Sequence, residues 1–244
     1  MVIAVEIAVQ DAAGARAAMA AGADRLELCQ ALGIGGLTPS IGLVEAACRA
    51  VGGERVNVLV RPRGGGFVYD ADEVDLVAAD IVAAVAAGAE GVVVGALRPD
   101  GSADLEALRR WRDAAGAATL VFHRAIDATP DPVAVLDAVR AVGVGRVLTS
   151  GGAARSVDGL AMLARLVRER GDIEIMAGGG IRTEDIPAIA ATGVDAVHLS
   201  ARAVAGAEAP PGPGGGTPGH DVTDASLVRA AREAAQVARD TLGA

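Results

Sequence analysis

GADRLELC, residues 22–29, carries two signals in one short run. Its glycine follows an Ala-rich stretch of helical composition and suits the left-handed position that ends a helix. From Arg25 to Cys29, charged or thiol-bearing side chains then alternate with leucines, the two-residue period of a β-strand. The same device, glycine followed by Ala or Val, two residues and a strand, returns at Gly88-Ala89, Gly143-Val144 and Gly193-Val194. The intervals are 66, 55 and 50 residues, a weak internal repeat with loops of variable length.

Outward from these units the chain alternates β-rich runs with Ala-rich helical stretches. The predicted strands are Val2–Val9, Ala23–Cys29, Arg55–Arg61, Gly91–Ala96, Ala118–Arg124, Arg146–Ser150, Ile173–Ala177 and Ala196–Ser200. Strands that alternate with helices form a parallel sheet, and eight is the number that closes it, so the fold class is α/β, a single (β/α)8 TIM barrel over residues 1–244. Residues 205–220, AGAEAPPGPGGGTPGH, read as a long loop without regular structure after the last strand. An amphipathic helix is expected from about Asp224 to Leu242, with Leu227, Ala231, Ala234 and Val237 along its apolar stripe.

Composition narrows the function. The 244 residues carry a net charge of −9, which argues against nucleic acid or an anionic membrane as partner and leaves a small molecule or another subunit. No secretory signature or bilayer-length apolar run is evident, so a cytoplasmic protein is expected. Cys29 and Cys48 are then read as thiols. All 22 basic residues are arginine, which excludes lysine Schiff-base chemistry.

Strand parity sorts side chains between the barrel lumen and the helix layer. It sends Glu6, Arg25, Glu27, Cys29, Asn57, Arg61, His123, His198 and Ser200 inward. Glu6, Arg25 and Glu27 lie nearer mid-strand and fit an internal ion-pair layer as well as they fit a site. Cys29, Arg61, His123, Ser150 and Ser200 stand at the C-terminal strand ends, where barrel enzymes keep their chemistry. Arg61-Pro62-Arg63, followed by three glycines, offers guanidinium forks for a carboxylate or phosphate. Ser150-Gly151, Gly179-Gly180 and Ser200-Ala201-Arg202, at the ends of the last three strands, suggest a phosphate cradle. His123 is the expected general acid or base near neutral pH, with Asp127 either tuning it or capping the helix that starts near Asp131. No CxxC, HxH or HExxH is present, and Cys48 belongs on a core stripe with Val44 and Val51. Cys29, alone or with His123, remains the candidate metal ligand.

Six segments carry a resemblance: GADRLELC (22–29), GGLTPS (35–40), RPRGG (61–65), FHRAID (122–127), RVLTSG (146–151) and IMAGGGI (175–181). Together, from about Glu6 to Arg202, the chain closely resembles the CutC family. The resemblance implies a cytoplasmic barrel, oligomeric in many members, linked to copper homeostasis and to Cu(I) binding in some. It implies mouth residues at Glu6, Glu27, Cys29, Arg61, Arg63, His123, Arg124, Asp127 and Ser150. The chain departs from the family at Ala8-Val9, where many relatives have cysteines, at Ile34 and Gly66, where acids are usual, and in its Pro/Gly stretch after the eighth strand. Two readings follow. One is a Cu(I)-binding homeostasis protein using Cys29, in a homo-oligomer. The other is an enzyme acting on a small anionic or phosphorylated metabolite, with Glu27, Arg61, Arg63, His123 and Asp127 as its working residues. A scaffold that serves only interactions is the third.

Overall fold

The structure, a computed structural model, describes residues 3–208 and 218–242. Eight parallel strands close on themselves in chain order: β1 (Ala4–Val9), β2 (Arg25–Leu28), β3 (Val56–Leu59), β4 (Gly91–Val94), β5 (Thr119–Phe122), β6 (Arg146–Thr149), β7 (Glu174–Gly178) and β8 (Ala196–Leu199). Register between β1 and β8, with Glu6 opposite His198, completes the closure. The expected strands are all present, most of them trimmed at one or both ends, while β7 is shifted one residue onward to end at Gly178. Gly22, Gly88, Gly143 and Gly193 have φ of 101°, 101°, 85° and 87°, so each occupies the left-handed conformation that ends a helix before a strand.

Helices α1 (Ala12–Ala20), α2 (Ile41–Val51), α3 (Ala71–Ala86), α4 (Leu105–Ala115), α5 (Pro132–Arg140), α6 (Leu160–Glu169), α7 (Ile186–Ala190) and α8 (Ala225–Leu242) cover the outside. Their starts are set by side chains: Asp70 and Glu73 form a reciprocal capping box on α3, and Asp131 caps α5. The main apolar core lies between strands and helices and takes in Leu26, Leu108, Trp111, Leu120 and Leu136. Trp111 of α4 is fully buried; its indole N–H donates to the Val74 carbonyl at 3.0 Å, and its ring lies 6.3 Å from that of Tyr69. Among the described residues no helix is long and apolar enough to cross a membrane.

Two expectations need correction. The stretch read as a featureless loop begins and ends in regular structure: β9 (Arg202–Ala205) pairs antiparallel with β10 (His220–Thr223), a ribbon whose ladder Pro and Gly do not enter. Its centre, residues 209–217, lies outside the described residues. The buried stripe of α8 is Val228, Ala231, Ala235 and Ala238, while Leu227 and Val237 face solvent. Packing against α7 and α1 favours the rotation that turns the small side chains inward, so that the helices approach closely.

Candidate functional site

The C-terminal strand ends surround a cavity of about 420 Å³, lined by Glu27, Arg61, His123, Arg124, His198, the Gly179-Gly180 backbone, Ser200 and Arg202 among others.

His123 follows β5 and caps the turn beyond it, its Nδ1 accepting the Ala125 N–H at 3.1 Å. That bond assigns the ring proton to Nε2, a buried donor without a partner among the described residues. A Cβ on Gly95 would overlap the ring, so this glycine of the neighbouring strand end makes room for it. Burial, reinforced by the Arg61 charge, depresses the His123 pKa to about 3. The expected acid or base near neutral pH is therefore corrected: His123 is a neutral hydrogen-bond donor.

Arg61 lies under the segment after β2 and is anchored by carbonyls, Nη1 donating to Gly36 at 3.1 Å and Nη2 to Gly65 at 2.7 Å. Its guanidinium stands 5.2 Å from the Phe67 ring centroid. The Nε donor is buried and unpartnered among the described residues. Arg63 does not join it. That side chain turns to the capping-box acid Glu73, with Nη2 3.0 Å from Oε2, and stacks 5.0 Å from Tyr69, outside the cavity lining. The two-arginine clamp is thus one arginine at this end of the site.

Asp127 is also reassigned. It neither touches His123 nor caps α5, but accepts from Thr149 Oγ1 at 2.6 Å, Ser150 N at 2.9 Å and Gly152 N at 3.0 Å, and pairs with Arg124 at 2.9 Å. A carboxylate with this many donors is a brace for the end of β6. Ser150 and Gly151 belong to that brace and are absent from the cavity lining, whereas Gly179, Gly180, Ser200 and Arg202 do line it. At Gly179, with φ of 134°, a Cβ would meet Arg124 and Ser150 at 3.0 Å, so the close backbone approach requires glycine. Arg202 pairs with Asp221 of the ribbon at 2.7 Å, and Arg124 adds a third guanidinium to the lining.

Deeper in the lumen the choice between ion pairs and a site resolves by position. Glu6 accepts from Arg25 at 2.7 Å and lies 2.9 Å from His198 Nδ1; Arg25 also pairs with Glu174, and Arg146 reaches Glu174 at 2.9 Å. Arg146 and Glu174, which open β6 and β7, were visible to the same parity rule but were missed. Burial opposes the Glu6 charge, but His198 and the arginines outweigh it and hold the pKa at about 2. Glu27 stands above this network, buried, with Oε2 unpartnered among the described residues. Burial pushes its pKa up to about 7, with His198 opposing and Glu6 adding to the rise. For His198 burial works against the charge, yet Glu27 and Glu6 raise its pKa overall.

The candidate metal ligand does not fit its task. Cys29 is fully buried among Leu59, Val93 and Val121, is absent from the cavity lining, and has its thiol pKa pushed upward by burial and by Glu27. Cu(I) calls for soft donors, and a thiolate is the competent form. Cys48 sits on α2, and Met176 Sδ lies 3.3 Å from the Arg25 guanidinium, so neither completes a soft set. Glu6, Glu27 and His198 do come within 4.8 Å of one another. Their donors are hard or borderline, and both oxygens of Glu6 are already occupied by Arg25, His198 and Asn57.

Residues 3–203 match the CutC family. A CutC family protein of Agrobacterium fabrum is 45% identical over 201 residues, covering 82% of this chain and 79% of its own length. The crystal structure of CutC from Streptococcus agalactiae, whose name associates it with copper homeostasis, superposes with a TM-score of 0.75 at 32% identity, covering 81% of this chain and 98% of that one. A structure of 3-hexulose-6-phosphate synthase, at 19% identity and a TM-score of 0.60 over 96% of this chain and 99% of its own, shares the fold alone. With the match extending from the first strand through β8, this chain belongs to the CutC family.

Proposed function

We propose that the chain binds, and acts on, a small metabolite carrying a phosphate or carboxylate at the C-terminal mouth of the barrel. One observation carries the reading: Arg61 Nε and His123 Nε2 are two buried donors, both without acceptors among the described residues, on side chains that line the same cavity. An unmet buried donor costs stability, and an oxygen of a bound anion meets it. The Gly179-Gly180 backbone and the guanidinium groups of Arg124 and Arg202 add to the cationic lining, and the volume suits a small ligand. Thermal unfolding with inorganic phosphate, sugar phosphates and small carboxylates tests this. A saturable rise in Tm is expected for the wild type and should be lost in Arg61→Met. No saturable rise with any of these anions overturns the reading.

Kinship with a protein named for copper homeostasis supports a second reading, a role in that process. The described side chains do not fit a Cu(I) centre at Cys29. Competition for Cu(I) against a chelator, wild type beside Cys29→Ala, is expected to give equal affinities; a loss in the variant would restore the thiol site.

A further inference from the structure

Four charged side chains at the base of the lumen cancel in pairs: Glu6 and Glu174 against Arg25 and Arg146. Two titratable groups are left over, Glu27 and His198. Both line the cavity, and a Glu27 carboxylate oxygen and a His198 ring nitrogen lie within 4.8 Å of each other. His198 Nδ1 faces ionised Glu6 at 2.9 Å, so that nitrogen carries a proton permanently and Nε2 is the one that gains or loses it. Glu27 Oε2 has no partner among the described residues. One proton therefore has two seats, and each choice leaves the lumen electrically balanced, as a neutral pair or as carboxylate and imidazolium.

We propose that Glu27 and His198 form the proton-transfer pair of this cavity, acting on a small hydroxycarbonyl compound that carries the anionic group. This rests on the anion-binding reading above. The groups around the pair are accounted for: Glu6 and Arg25 from β1 and β2, Arg146 and Glu174 from β6 and β7, Arg61 and His123 at the strand ends above, and the protonated Cys29 thiol beside Glu27. Of these others the carboxylates are ion-paired, and Arg61, neutral His123 and the Cys29 thiol offer the cavity no base. The chain has no lysine, so a carbonyl substrate cannot be activated as an imine. The alternative is enolisation. The Glu27 carboxylate takes the proton from the carbon beside the carbonyl, the C–H electron pair becomes the C=C bond, and the carbonyl π pair moves to oxygen. Arg61 and neutral His123, whose remaining free nitrogen Nε2 is a donor, stabilise that oxygen. For isomerisation the His198 imidazolium protonates that oxygen to give an enediol, then takes the proton of the neighbouring hydroxyl as its C=O forms and the C=C pair takes the proton back from Glu27. For epimerisation His198 protonates the same carbon on its other face and the proton on Glu27 then passes to His198. Neither route needs an oxidant or reductant. Burial gives Glu27 a pKa near the operating range of a general base, in keeping with this role.

The test combines three measurements on the same samples. Histidine-selective 15N NMR should give a two-step His198 titration in the wild type and a single step at lower pH in Glu27→Gln. Dihydroxyacetone phosphate and hydroxypyruvate in D2O should incorporate deuterium, at a rate about 100-fold lower in Glu27→Gln and His198→Gln and partly restored in Glu27→Asp. The phosphate-induced rise in Tm should persist in Glu27→Gln; its absence from the wild type would fail the anion-binding reading itself. With that rise intact, three results overturn the pair: a His198 titration indifferent to Glu27→Gln, no deuterium in either probe, or stoichiometric Zn2+ binding abolished by Glu27→Gln.

Discussion

The two ends of the barrel lumen use the same residue types to opposite effect. At the base, Glu6, Arg25, Arg146 and Glu174 meet one another at hydrogen-bonding distance. Arg146 Nη1 and Asn57 Oδ1 have no hydrogen bond there, but that guanidinium nitrogen still lies 3.8 Å from the Glu6 carboxylate, whereas at the mouth Arg61, His123 and Glu27 each retain a buried polar atom with no partner of either kind among the described residues. A polar lumen is structure where charges close on themselves and a site where they stay open. Burial alone does not separate the two, because Glu6 and Glu27 are both almost wholly enclosed.

Breaking the closed end has the largest expected effect. Glu6→Gln removes the carboxylate charge that Arg25 and His198 share and is expected to cost about 3–5 kcal/mol in urea unfolding, because an uncompensated buried charge remains. At the open end the sign reverses. The folded pKa of Glu27, about 7, lies above its usual 4.5, so its contribution is intact below pH 4.5 and is lost as pH rises through 7. Glu27→Gln should therefore be the more stable protein at pH 8, by on the order of 3 kcal/mol, with the difference vanishing below pH 4.5. Wild-type stability near pH 8 exceeding that of the variant would erase the contrast between the two ends. The smallest effect is expected just outside the mouth: Arg63→Ala, which releases Glu73, should leave both the phosphate-induced Tm shift and the Cu(I) affinity unchanged.

The fold was legible because two independent periodicities agreed, the helix-ending glycines and the alternation within strands. Parity also found the lumen: every residue assigned inward from β1, β2, β3, β5 and β8 lines the interior or the cavity or joins the charge network. What parity does not encode is which neighbour a side chain finds. Arg63 and Asp127 were drawn off by Glu73 and by the end of β6, contacts that depend on where loops return. The histidines were exchanged for a related reason. His123 and His198 share parity and composition class, but one sits against a guanidinium and the other between two carboxylates. On α8 the larger Leu227 and Val237 dominate the sequence pattern, while close helix packing selects alanine.

Trp111 and Tyr69 are the molecule's single tryptophan and single tyrosine, and their rings stand 6.3 Å apart. At that separation excitation of the phenol passes to the indole, so the protein emits from one buried centre. Tyr69 belongs to the connection between β3 and α3, which also supplies Arg61, Phe67 and the arginine stacked on Tyr69 itself. The fluorescence spectrum is thus a built-in gauge of how that connection is seated, readable without any label.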